Sequence, residues 1–303
     1  MTVLRQKMAD ALQLAGMSER TQQCYLREVR LLAKFHAKPP DQLTQEELQA
    51  YLLHRKNADR LAPASMRICY AGIKFFYQKV VVRDWPLLDL IRGEHEHKLP
   101  VVLSADEVHR IIESTTTFHN RVYFATVYSC GLRLHEGLNL QVGDIHTDRS
   151  MLHVHRGKGA TDRMVPLPSR TLSLLREYWK THRNPTYLFP ARGRDGKQAP
   201  QANHPMKKST VQGVLRGVLK QLGINYHGVS IHTLRHCYAT HLLEAGVNVR
   251  HIQQYMGHAF LETTMRFRAR YQSHNVIKDL YQVCGCFHHG KDCGYCRYST
   301  AAG

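Results

Sequence analysis

The sequence predicts a mainly α-helical chain with a small β-sheet, divided into an N-terminal helical bundle and a mixed α/β second domain. Three observations predict it. Apolar residues recur at three- and four-residue spacing through most of the chain. One segment, MLHVHRGKGATDRMVPLP, instead alternates with period two on both sides of a Gly157-Lys158-Gly159 turn. A third, EHEHKLPVV, carries Pro100 and breaks the helical periodicity, which makes it the linker. The resulting division is a bundle over residues 1–93, a linker over 94–103, a second domain over 104–283 and a Cys/His-rich tail over 284–303.

Composition narrows the function classes before any motif is read. At 303 residues with 43% apolar content the chain can bury two cores, which excludes a disordered polymer. Its formal charge is +18, and the excess of Lys and Arg is spread along the chain and not gathered in one tail. A basic surface of that extent is suited to an extended polyanion. No apolar run reaches the length of a membrane span, and MTVLRQKMADALQLAG lacks the core of a signal peptide. Cys24, Cys69, Cys130 and Cys237 stand singly inside helical patterns and read as buried reduced thiols, which fits a cytoplasmic location.

In the bundle, Tyr25, Val29, Leu32 and Phe35 fall at helical spacing, while Arg27, Arg30 and Lys34 form a separate basic face of the same helix. One face packs and the other can meet phosphates. Pro39-Pro40 breaks the chain, and Thr44 with Glu47 has the capping-box spacing that starts a helix carrying Leu48, Tyr51 and Leu52. Pro63 and Ser65 open another, with Ile68, Ile73, Phe75 and Phe76 as its apolar residues and Arg67 and Lys74 among its basic flank. Four or five helices with basic rims follow from this, and Arg27, Arg30, Lys34, Arg67 and Lys74 are the candidate contacts to the phosphates of a polyanion.

Ser104 and Glu107 repeat the capping-box spacing and open the second domain. Further on, Gly131 can end a buried helix and leave Arg133 at a break beside the core. An arginine between apolar runs needs an anion, either Glu136 in the same turn or a ligand. The hairpin holds Lys158 at its tip, Ser169 to His182 reads as a helix with Leu172, Leu175 and Tyr178 inward, and a polar loop from Arg192 to Lys208 precedes a helix near Thr210 to Leu222. The richest stretch is SIHTLRHCYATHLLEAGVNVRHIQQYMGHAFLETTMRFRARY. His232 and Arg235, three apart, share a helix face, opposite the apolar stripe of Leu234, Tyr238, Leu242 and Ala245. This cationic pair is expected to be exposed to a ligand. Gly246 closes the helix, Asn248 caps the next, and Gly257 stops that one just before His258.

These strings taken together, GLRxxE at Arg133, GKGxxDRxVPL at Lys158, HxLRH at His232 and Arg235, GH at His258 and an aromatic residue nine positions later, resemble the tyrosine recombinase (phage integrase) family. The likeness covers Leu103 to Tyr271 closely and the N-terminal bundle, similar to that family's core-binding domain, more loosely. Its nearest flavour is the bacterial integrase of Xer, integron or insertion-element type, without a further N-terminal arm-binding domain.

The resemblance implies a mixed α/β catalytic domain that, with the bundle, clamps duplex DNA, and site-specific recombination by phosphoryl transfer. Arg133 and Arg235 are then the phosphate clamp, Glu136 the carboxylate supporting Arg133, His232 and His258 the hydrogen-bonding imidazoles and Lys158 the general acid. No cofactor is required for catalysis, because two guanidiniums take the place of a metal ion. It further implies a homo-tetramer on paired recombination sites, no membrane, and a nucleoid-associated place in a bacterial cytoplasm.

One position departs from the pattern. Where the family places its nucleophilic tyrosine, this chain has Phe267, which keeps the ring and lacks the attacking oxygen. Three readings stay open: an introduced Tyr→Phe substitution, a nucleophile moved one helical turn to Tyr271, and a relative that does not cleave. The rival functions are a DNA-binding regulator with a recombinase fold and a type IB topoisomerase, the compact bundle plus linker favouring the recombinase. The tail, with Cys284, Cys286, Cys293 and Cys296 around His288 and His289, lies outside the family pattern, and its spacings suit a structural zinc ion about as well as free thiols.

Overall fold

A computed structural model describes residues 2–83, 85–90, 101–155, 162–193, 195–224 and 228–258. Lys158, Phe267, Tyr271 and the four tail cysteines lie outside the described residues. The chain divides into two compact units, Met1–Lys98 and Leu99–Gly303.

The first unit contains α1 (Val3–Leu14), α2 (Glu19–His36), α3 (Gln45–Asn57), α4 (Pro63–Phe75) and the short α5 (Pro86–Leu90). Its boundaries follow local chemistry. The Ser18 hydroxyl accepts from Thr21 N at the start of α2, and Thr44 and Glu47 form the reciprocal capping box of α3. Val29, Leu32, Leu48, Tyr51, Cys69 and Ile73 meet in its core. Three expectations fail here. Phe35, on the apolar stripe of α2, is 44% exposed near the end of that helix. Ile68 is 43% exposed, because Met66, Cys69 and Ile73 form the inward stripe of α4. Cys24 is only half-buried. Beyond Phe75 the backbone widens into a π-helical turn, Phe76–Val81, that buries Phe76 and Tyr77, whose hydroxyl donates to Pro40 O at 2.6 Å. Helical periodicity in the sequence does not reveal a change of hydrogen-bond register.

Arg27, Arg30 and Lys34 stand on the exposed face of α2, as their spacing requires. Glu28 between them is buried and pairs with Arg55 of α3 at 3.4 Å. Arg67 is half-buried, and Lys74 donates to Leu88 O and Asp89 Oδ1, both at 3.1 Å, so that ammonium ties α4 to α5.

The second unit is built around α7 (Phe118–Ser129), whose Val122, Tyr123, Phe124, Val127 and Tyr128 are all buried. A helix apolar on nearly every side belongs in the middle of a core. It packs against α9 (Ser169–Lys180) and α11 (Ile231–Glu244), with α6 (Ala105–Glu113), α8 (Leu134–Leu138), α10 (Lys208–Gln221) and α12 (Val249–Met256) around them. Leu103, placed at the end of the linker by the sequence, is buried in this core, and its N–H donates to Cys237 Sγ at 3.2 Å. The sheet is an antiparallel meander of β1 (Ile145–His146), β2 (Met151–Val154) and β3 (Arg163–Pro166). Leu152 pairs with Val165 and Val154 with Arg163, so Leu152, Val154 and Val165 enter the core while His153 and Met164 face away.

Gly131 sits between α7 and α8 at φ +59°, and a Cβ there would lie 2.3 Å from Tyr238 Cδ1. Only glycine turns the chain here and admits the Tyr238 ring. Gly131→Ala is expected to lower stability by roughly 2–4 kcal/mol, combining the left-handed backbone with overpacking. Urea unfolding measures it, and a midpoint equal to the parent's would show that the turn is less constrained than this.

Candidate active site

Four elements of the second unit deliver polar side chains to one place. Arg133 is the N-cap of α8, placed there by the Gly131 turn and by the buried Tyr123 hydroxyl, which donates to Leu134 O at 2.8 Å. One turn on, Glu136 closes a capping box on Arg133 N at 2.8 Å and takes Arg133 Nη1 at 2.6 Å. From β3, Arg163 reaches the same carboxylate with both arms of its fork, Nη1 to Oε1 at 3.0 Å and Nη2 to Oε2 at 2.6 Å. From α11, Arg235 Nη1 lies 3.7 Å from Glu136 Oε2. Three guanidiniums therefore surround one buried carboxylate and leave a local surplus of two positive charges.

The end of α12 supplies the fourth side. Gly257, at φ +58°, terminates the helix and turns its carbonyl to Arg133 Nη2 at 3.1 Å. Met256 O accepts from Arg235 Nη2, Gly131 O accepts from Arg235 Nη1, and Tyr255 O accepts from Arg163 Nε at 2.7 Å. His258 follows immediately, its N–H donating to Gln253 O at 3.1 Å. His232 stands at the exposed edge and, with Arg133, Glu136, Asp144 and His155, lines a cleft of about 600 Å³.

The expectation of an exposed His232–Arg235 pair is corrected in half. Arg235 is only 4% exposed, because α11 is buried on most of its circumference, with Thr233, Leu234, Cys237 and Tyr238 also inside. Three residues apart on such a helix means one face, but not one exposure. Nor is the pair doubly cationic. Burial, then the nearby guanidiniums of Arg235 and Arg133, lowers the pKa of His232. Burial and the same arginines push His258 down to about 4, so it is neutral at pH 7. Arg235 itself falls to about 9 through burial and then repulsion from Arg133, which leaves it charged at neutral pH. Burial by itself pushes Glu136 up, but the hydrogen bonds and charge of Arg163, with those of Arg133, prevail and hold it at about 2.

The structure thus brings Arg133, Glu136, His232, Arg235 and His258 together around one carboxylate and one helix end. Sequence reading missed Arg163, the best-bonded of the three arginines. The available signal was a charged residue opening a strand whose alternate positions are apolar. It also missed His236, next to Arg235 in HxLRH, which burial, then His232 and Arg235, pushes down to about 4.

Comparison with known proteins supplies the family. Residues 101–274 match the model of the phage integrase family, and residues 4–87 that of the phage integrase N-terminal SAM-like domain. The chain is 37% identical over 268 residues to y4qK of Sinorhizobium fredii, provisionally named an integrase/recombinase, covering 88% of this chain and 84% of that one. It is 30% identical over 260 residues to the tyrosine recombinase XerA of Pyrococcus horikoshii, covering 86% of each. Among solved structures, a lambda integrase tetramer bound to a Holliday junction superposes with a TM-score of 0.71 at 17% identity over 91% of this chain and 80% of that one, a likeness of fold. With both units matched and the arginine-rich site in place, the chain belongs to the phage integrase family, the tyrosine recombinases.

Proposed function

We propose that Arg133, Arg235, His232 and His258, backed by Glu136 and Arg163, hold a single scissile phosphate of duplex DNA for site-specific strand breakage and rejoining. The observation that carries this is the charge surplus: three guanidiniums against one carboxylate, two of them nearly buried. Burying unpaired cations is costly, so such a cluster makes physical sense as a receptor for an anion. A phosphodiester supplies one negative charge, and more develops on its non-bridging oxygens in the transition state. Glu136 and the carbonyls of Gly131, Met256 and Gly257 fix the forks beforehand, so little reorganisation is needed when DNA binds. The guanidiniums provide the charge that a metal ion provides in other phosphoryl-transfer sites, and the catalytic step needs no cofactor.

In the reaction such a site serves, a tyrosine phenol, supplied by Phe267→Tyr or by Tyr271, attacks phosphorus, the bond to the 5′ oxygen breaks, and Lys158 protonates that leaving oxygen. The product is a 3′-phosphotyrosine and a free 5′ hydroxyl, a step that conserves the ester for rejoining. Neutral His258 and His232 hydrogen-bond the phosphate or accept the phenol proton. Double-stranded recombination sites are the partner, contacted also by Arg27, Arg30 and Lys34. Assembly as a tetramer is in keeping with the lambda integrase tetramer whose fold the chain shares. Integration and transposition of mobile DNA fit the same reading, and the tail zinc ion remains a proposal on spacing alone. Among the described residues no helix is long and apolar enough to cross a membrane.

Phe267 favours a second reading, a DNA-binding regulator that does not cleave. The deciding experiment uses a nicked, labelled recombination site that traps covalent protein–DNA adduct. In the Phe267→Tyr chain, adding Arg235→Lys is expected to cut the rate of adduct formation by roughly 10²–10³-fold, since it removes a preorganised fork while keeping a charge. Equal rates with and without Arg235→Lys would remove Arg235 from the site. Absence of any adduct from the Phe267→Tyr chain would favour the regulator.

A further inference from the structure

On the hairpin face that carries His153 and His155, a second cluster of polar side chains borders the cleft that Arg133 and His232 line, with His155 and Asp144 shared by both. Strand alternation sends Leu152 and Val154 inward, so His153 and His155 emerge together, their ring centroids 3.8 Å apart. The β2–β3 register pairs Val154 with Arg163, which brings Asp162 across from the His155 end. Asp162 Oδ2 lies 3.2 Å from His153 Nε2 and 3.5 Å from His155 Nδ1, and one donor atom from each of the three residues lies within 4.8 Å of the others.

The far side of His155 is fixed by a buried group. Asp144 is 4% exposed, its Oδ2 accepts from Gln141 N at 2.7 Å, and its Oδ1 is 2.7 Å from His155 Nε2. A carboxylate at Nε2 places the ring proton there and directs the Nδ1 lone pair to Asp162. Two imidazole nitrogens and a carboxylate oxygen then converge on one point, an arrangement that needs either extra protons or a cation between them. A buried carboxylate orienting a histidine from behind is also the usual support of a metal-bound imidazole.

We propose that His153, His155 and Asp162 form a site for a divalent transition ion of the zinc class, with Asp144 as the orienting carboxylate and water completing the shell. Bonds of about 2.0–2.1 Å in a tetrahedron put ligand atoms about 3.3 Å apart. Two of the separations, 3.2 and 3.5 Å, already have that value. Imidazole and carboxylate together select zinc, cobalt, nickel or copper over magnesium and calcium, which take oxygen ligands. The ion ties the two sides of the hairpin at His155 and Asp162, between which Lys158 lies in the sequence, and it anchors Asp162 beside Arg163.

The test is a Zn²⁺ titration of the full chain by calorimetry, with Cys284→Ser, Cys286→Ser, Cys293→Ser and Cys296→Ser present so that tail thiols do not contribute. One equivalent is expected to bind. His153→Gln and Asp162→Asn are each expected to weaken it at least tenfold, and Asp144→Asn to weaken it roughly ten- to a hundredfold. His155 and Asp162 are exposed and His153 is half-buried on the solvent side of the sheet, so circular dichroism melts without metal should stay close to the parent. Co²⁺ in place of Zn²⁺ should give visible bands that Asp162→Asn abolishes. Failure of the parent to take up Zn²⁺, or equal affinity in the parent, His153→Gln and Asp162→Asn, overturns the site and assigns the cluster to imidazolium–carboxylate pairing.

Discussion

Placing a hydroxyl at position 267 with Phe267→Tyr is expected to raise covalent adduct formation on a nicked recombination site by on the order of 10⁴-fold or more. Phenylalanine keeps the ring and so the packing, but it has no atom that can bond to phosphorus. The described part of the proposed site is in place: Arg133 and Arg235 converge at Glu136, and His258 is held neutral beside them. On the proposed mechanism, a preorganised electrostatic site without its nucleophile binds the phosphate and stops. Gel separation of the covalent protein–DNA species measures the gain. An adduct from the parental chain at a comparable rate, lost on Tyr271→Phe, would relocate the nucleophile to Tyr271 instead.

The second large effect concerns stability. Glu136→Ala is expected to lower the free energy of unfolding by roughly 3–5 kcal/mol, because it strands buried cations without a counter-ion. Arg163 and Arg235 have side chains only 8% and 5% exposed, and Glu136 is the carboxylate that both approach. Glu136→Gln should cost less, since the amide oxygen still accepts from one fork. Acid separates the two contributions. The folded carboxyl titrates at about 2 against an ordinary value of 4.5, so its contribution is fully present above 4.5 and disappears as pH falls toward 2. The difference in urea midpoint between parent and Glu136→Gln should therefore narrow across that window. A constant difference would mean that Glu136 stabilises through packing and not through its charge.

The sequence by itself determined the helical class, the β2–β3 pairing and the starts or ends of several helices. These features rest on neighbours a few residues apart: Thr44 with Glu47, Ser104 with Glu107, Asn248 with Arg250 N, and left-handed glycines at 131 and 257. It also identified Arg133, Glu136, His232, Arg235 and His258 as a set, through motifs whose spacing is local even though the motifs lie far apart.

Only the tertiary structure decided what those residues have around them. The contacts that bury Arg235 and hold Arg133 join residues 104 and 124 positions apart, Arg235 to Gly131 O and Arg133 to Gly257 O. Arg163 entered the site in the same way, by a strand pairing that brings it to Glu136, and His153, His155, Asp162 and Asp144 became a cluster only once the hairpin closed on β1. Periodicity and capping are set by backbone hydrogen bonds within one turn, which a sequence displays. Exposure, charge balance and the pKa of a buried imidazole depend on which distant segments the core brings together, and that is settled by packing.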